Sequence, residues 1–202
     1  MHSAQRLLVA VGMAALSASP FAATTVYTSS ASFMANVAPG AYTESFTGLS
    51  NPPVGPVTFS GSGFSYSASA PPDGIYLEGG FLGASQINQA LTVTFTSGNV
   101  TAVGGNFYAT NIADAFQSVA VTLTLSDSTS VTFTPSSLSD SYRGFTSNLT
   151  ITSLTMSAPG GSLYAGLDNL TVGVTAVPEP ASWALMGLGV AGLLVARRRT
   201  TA

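Results

Sequence analysis

Cysteine and lysine are absent, and histidine occurs once, as His2. Without cysteine the fold cannot rest on disulfides, and thiolate metal sites and thiol catalysis are excluded. Charge is scarce too: 6% of the 202 residues are charged, against about 25% in ordinary soluble domains. Four of the five arginines, Arg6, Arg197, Arg198 and Arg199, lie near the two ends. Residues 24–177 hold seven acids (Glu44, Asp73, Glu78, Asp114, Asp127, Asp140, Asp168) against the single base Arg143, a net charge of −6. Nucleic-acid binding needs a basic footprint to neutralise phosphates. This stretch has none, so no nucleic-acid partner is expected. It also holds no histidine, cysteine or lysine. Ser-His-Asp, Cys-His and Ser-Lys nucleophile systems therefore lack a base, and a histidine-ligated zinc lacks its ligands.

What is present is organised by two apolar end segments. Residues 1–23 place Arg6 before an apolar run from Leu7 to about Ala18, with small residues up to Ala22 and Ala23. This is the layout of a cleavable signal peptide, which implies the Sec translocon and signal peptidase as partners. The alternative is an uncleaved anchor, for which a run of about 12 residues is short. At the other end, 181–196 is an uncharged apolar stretch followed at once by Arg197, Arg198 and Arg199. As a helix it extends roughly 24 Å, against a hydrocarbon core of about 30 Å. The arginines act as a cytoplasmic stop cluster, and Trp183 suits the outer interface. Gly187, Gly189 and Gly192 match G-x-G-x-x-G. A dinucleotide site needs that spacing between a strand and a helix; inside an apolar span the glycines serve helix contact instead.

Pro178-Glu179-Pro180, the apolar stretch and the arginine cluster together closely resemble the PEP-CTERM sorting signal of Gram-negative bacteria. The resemblance covers residues 178–202. It implies that a membrane-embedded protease, an exosortase, reads Pro178, Glu179 and Pro180 and removes the helix, after transient residence in the inner membrane. It also implies a host that makes exopolysaccharide and forms biofilm. The physics agrees: prolines on both sides of Glu179 resist helix and strand, leaving an extended segment. The same prolines also serve as a plain boundary between domain and helix.

Between the ends, residues 24–177 form one extracytoplasmic domain. Apolar residues alternate with Ser and Thr at the period of half-buried strands: Leu91, Val93 and Phe95; then Val119, Val121, Leu123 and Leu125; then Val131 and Phe133 after the turn Asp127-Ser128-Thr129. The second and third runs read as a hairpin. Leu149 and Ile151 begin another strand, which slips by a bulge at Ser153 before Leu154 and Met156. Leu170, Val172 and Val174 form the last. A short helix starts at Ser30 or Ser32 as N-cap, carries Phe33, Met34 and Val37, and ends at Pro39-Gly40. The fold class is all-β, an antiparallel β-sandwich. The stretches VYTSSASFMANV, GSGFSYSAS and YAGLDNLTVG resemble extracellular domains that precede such sorting signals, which implies a jelly-roll or lectin-like form.

No resident cofactor is required. The jelly-roll resemblance implies a structural calcium between the first and last strands, where Glu44 and Asp168 sit in comparable places and are the candidate ligands, calcium taking carboxylate and carbonyl oxygens; otherwise Asp168 and Asn169 serve a local turn. Asp73 and Tyr76 are the candidate ligand-binding pair, an exposed aromatic beside a carboxylate loop. The expected role is a non-enzymatic surface or matrix protein. The alternatives are a carbohydrate-binding module for the exopolysaccharide, or a weak glycoside hydrolase using paired carboxylates.

Overall fold

The computed structural model describes residues 23–50, 55–77 and 79–177. They form two antiparallel sheets. The first runs β1 (Thr24–Tyr27), β12 (Tyr142–Ser147), β8 (Ala102–Thr110), β14 (Tyr164–Gly173), β6 (Leu82–Ala84) and β5 (Ile75–Tyr76), with β2 (Tyr42–Glu44) added to β14 and β9 (Phe116–Gln117) to β8. The second runs β11 (Ser130–Phe133), β10 (Val121–Leu125), β13 (Ser153–Met156), β7 (Leu91–Phe95), β4 (Phe64–Ser69) and β3 (Val57–Gly61). The alternation drives the packing. Leu91, Val93, Leu123, Leu125, Leu154 and Met156 of the second sheet are buried against Val103, Phe107, Phe145, Leu167, Leu170 and Val172 of the first. Phe59 stacks on Tyr66, ring centroids 5.2 Å apart, and Phe46 meets Phe59 edge-on at 5.3 Å.

The outward face of the second sheet is a field of hydroxyls. Ser67 pairs with Thr94 and Thr94 with Ser153; Thr92 pairs with Thr155, Thr155 with Thr124, and Thr124 with Ser130. Neighbouring hydroxyls bond across strands: Thr122 to Thr132 at 2.8 Å, Thr92 to Thr155 at 3.1 Å, Ser65 to Thr96 at 2.8 Å. These ranks stand where most soluble sheets place charge.

The outward face of the first sheet is covered at one end by α1 (Ser30–Met34). Ser29 caps it, accepting from the Ser32 N–H. Phe33 is fully buried on a floor that only glycine permits. A Cβ at Gly144 would stand 2.6 Å from the Phe33 ring, and one at Gly104 3.1 Å from it. Tyr27 and Tyr142 wall the ring at 6.0 and 6.1 Å.

The hairpin of β10 and β11 forms as expected, with Ser128 at φ 71° in its turn. Three expectations need correction. The helix is capped by Ser29, one residue earlier than expected, and ends before Val37, which bridges Thr175. No strand begins at Leu149: residues 148–152 are loop, Leu149 is exposed, and Ile151 is buried by reaching into the core from there. The bulge falls instead in β14, between Asp168 and Thr171.

The domain's start is tied down by an acid. The Asp127 carboxylate accepts from the Thr24 hydroxyl at 2.7 Å and from the Thr129 N–H at 2.8 Å. Partial burial raises its pKa, and these bonds together outweigh burial, so its net shift is downward. A carboxylate with a depressed folded pKa contributes stability above its unfolded value of about 3.9, and loses it as pH falls through the folded value. Urea midpoints recorded from pH 6 to pH 2 should therefore fall more steeply in the native chain than in Asp127→Asn. Parallel curves would show that this bond carries no linkage.

Candidate binding cleft and sorting motif

Beyond α1, the first sheet's outward face carries a row of rings. Tyr76 meets Phe81 at 5.5 Å, Phe81 meets Tyr108 at 5.9 Å, and Tyr108 meets Phe116 at 6.4 Å. Again glycines make the room: a Cβ at Gly83 would lie 3.1 Å from Phe81, and one at Gly166 3.2 Å from Tyr108. Burial raises the pKa of the Tyr108 hydroxyl, with Asp168 and Asp114 adding to the shift. It stays protonated at neutral pH.

At the end of this row lies a shallow cleft of about 420 Å³, including its open mouth. Tyr76, Phe81 and Tyr164 supply its ring surface. The loop from Asn111 to Ala115 forms one wall, and its shape is set by Asn111. The Asn111 side-chain oxygen accepts the N–H groups of Ala113 and Ala115, an arrangement typical of asparagine in turns. That fold pushes Ile112 outward, 84% exposed, and holds Asp114 at φ 56°. The Asp114 carboxylate accepts from the Tyr76 hydroxyl at 2.7 Å. Ser85 also lines the cleft; its hydroxyl oxygen is buried and has no hydrogen-bond partner among the described residues.

The expected site residues are only partly brought together. Tyr76 lies in the cleft, but its acidic partner is Asp114. Asp73 is on the neighbouring turn, where it accepts from Gln89 at 2.7 Å, and it does not line the cleft. The contribution of Asn111 was missed, although an asparagine between two strand-like runs is a turn signal. Glu44 and Asp168 are separated by the sheet itself. Glu44 stands opposite Leu170, which is in the core, and it accepts from Tyr42 and the Phe46 N–H. Asp168 stands opposite Asn106, on the outward face, and bonds the N–H and amide of Asn169. Burial raises the pKa of Asp168, partly offset by that N–H; burial and the Glu44 bond push Tyr42 up to about 12. The pair does not converge, and among the described residues no three acidic or histidine side chains gather as metal ligands.

The signal peptide expected over 1–23 and the sorting segment expected over 178–202, with Pro178, Glu179, Pro180, the apolar stretch 181–196 and Arg197, Arg198 and Arg199, lie outside the described residues, save Ala23. The chain leaves the sandwich tightly at both ends. Ala23 donates to Asn148 at 2.9 Å. Thr175 bonds Thr101 and Ser147, and Ala176 donates to the Asn36 carbonyl at 2.8 Å. Val177 is then 81% exposed. All of these contacts lie around one end of the first sheet.

No curated protein and no solved structure matches the chain. Residues 176–199 match the family model described as the PEP-CTERM protein-sorting motif. That match begins two residues before Pro178 and takes in the whole arginine cluster. The chain thus carries a PEP-CTERM sorting motif, which implies an exported protein, targeted to an exosortase and routed through the membrane to the cell surface.

Proposed function

We propose that this chain is a non-enzymatic surface or matrix protein, cut by an exosortase at its Pro178-Glu179-Pro180 segment and displayed in an exopolysaccharide layer as a jelly-roll or lectin-like sandwich. The match over 176–199 carries the reading. The two antiparallel sheets and their neutral hydroxyl face support display, since such a surface stays hydrated with little charge. Binding is favoured over hydrolysis. Glycoside hydrolysis uses two carboxyl groups flanking one bond, and the described lining of the cleft holds one, Asp114. The reading calls for no resident cofactor, and with Glu44 and Asp168 on opposite faces of the sheet it leaves calcium without a role.

Mass spectrometry of the protein recovered outside the cell is the test. The expected species begins near Ala22 or Ala23 and lacks Trp183 through Arg199. Recovery of extracellular protein that still carries those residues overturns the reading.

A further inference from the structure

The cleft is placed and built to take something from outside. The strands β8 and β14 run the length of the first sheet. Ala102 and Gly173 pair at one end, and Thr110 and Tyr164 pair at the other. Ala23, Thr175 and Ala176 are tied at the Ala102 end, through Thr101, Ser147 and Asn148. The cleft, with Thr110, Asn111 and Tyr164, opens at the opposite pole. Nine residues of strand separate the poles by about 25–30 Å. Both membrane-directed segments thus leave from one end, and the cleft faces away from them.

Its chemistry is selective. Three rings offer flat apolar faces. Asp114 offers a carboxylate already oriented by Tyr76. Ser85, on the lining, carries a buried hydroxyl oxygen without a hydrogen-bond partner among the described residues, a costly state that a ligand hydroxyl reaching it relieves. The described lining contains no base, and Arg143, the one base in 24–177, stacks on Phe133 3.7 Å from the ring centroid. An anionic ligand therefore finds repulsion and no counter-charge. A ligand with alternating C–H faces and hydroxyls, and no negative charge, fits both the rings and the polar atoms.

We propose that this distal cleft binds a neutral saccharide unit, with Tyr76 and Tyr164 against its faces and Asp114 and Ser85 on its hydroxyls. The proposal deepens the reading above and rests on the domain being displayed outside the cell.

The experiment is binding of the full-length chain in mild detergent to arrayed neutral oligosaccharides and to a uronate oligomer, with Kd from calorimetry on the best neutral hit. The expected result is capture of neutral chains and none of the uronate. Asp114→Asn, nearly isosteric, should weaken binding roughly tenfold or more with melting temperature unchanged, and Ser85→Ala should weaken it as much while the melting temperature holds or rises, since the costly unpaired hydroxyl is gone. Tyr164→Ala should weaken it as strongly; if that variant does not fold, Asp114→Asn reads the same site. No neutral hit, preference for the uronate, or binding indifferent to both Asp114→Asn and Ser85→Ala overturns the proposal. Processing of the tail is read separately in the host. Binding lost with processing intact leaves the sorting reading standing, and the reverse leaves the cleft standing.

Discussion

Phe33→Ala should destabilise the domain by about 3–5 kcal/mol, the usual cost of emptying a fully buried phenylalanine site. The helix has five residues, far too few to persist alone in water. It stays because Phe33 drops between Tyr27 and Tyr142 onto Gly104 and Gly144. Remove the ring and a cavity opens under a helix with few other holds, chiefly Val37 over Gly173. The same seat can be spoiled from below. Gly144→Val would push carbon into the space the ring occupies, where a Cβ already falls 2.6 Å from it, and overpacking of this kind costs about 1–3 kcal/mol. The pair is the sharper measurement. If ring and glycine share one space, the double variant loses much less than the two singles together, since contacting sites are not additive. Urea unfolding of the four proteins gives the cycle. Simple additivity would mean that Phe33 does not rest on Gly144.

Glu179→Ala should abolish exosortase processing in a host that carries the enzyme, leaving chain with its sorting segment uncut in the inner membrane. On the reading proposed above, alanine at 179 removes the side chain that the protease reads, while both flanking prolines, which disfavour helix and strand, are kept. The fold supplies a control. Only Val177 lies between the last anchoring bond, from Ala176 to Asn36, and Pro178, so the substitution removes no described contact. Its melting temperature should equal that of the parent. Immunoblots of membrane and released fractions decide the matter: release at the parental level would show that Glu179 is not read.

Much of the sandwich was legible because its second sheet is nearly all alternation. Leu91, Val93 and Phe95, or Val121, Leu123 and Leu125, announce a strand with one wet face. The first sheet hid itself. Its central strand, β8, contains Gly104 and Gly105 and is buried on both faces over most of its length, so neither the period nor the composition of a half-exposed strand appears. Those glycines weaken a strand when viewed alone. Gly104 makes sense only once Phe33, about seventy residues earlier in sequence, is seen lying on it and on Gly144, and Gly105 only once Leu167 and the Asp168 carbonyl are seen against it. The binding cleft was half legible for the same reason. Tyr76 could be singled out as an aromatic beside a loop, but its union with Asp114 comes from pairing across β5, β6, β14 and β8, which no local spacing encodes. Glu44 and Asp168 are read as partners from a resemblance that puts calcium between the first and last strands, without the register that turns them to opposite sides.

The threonine and serine ranks on the second sheet have a consequence for where such a protein works. Attraction and repulsion between charged surfaces are governed by dissolved ions, with a range of about 10 Å at 0.1 M that collapses to about 3 Å at 1 M. Water held by uncharged alcohol groups is not subject to that screening. A colloid coated this way should keep its dispersion from rainwater to brine and across wide swings of acidity, conditions that would aggregate a particle relying on lysines and glutamates to stay apart.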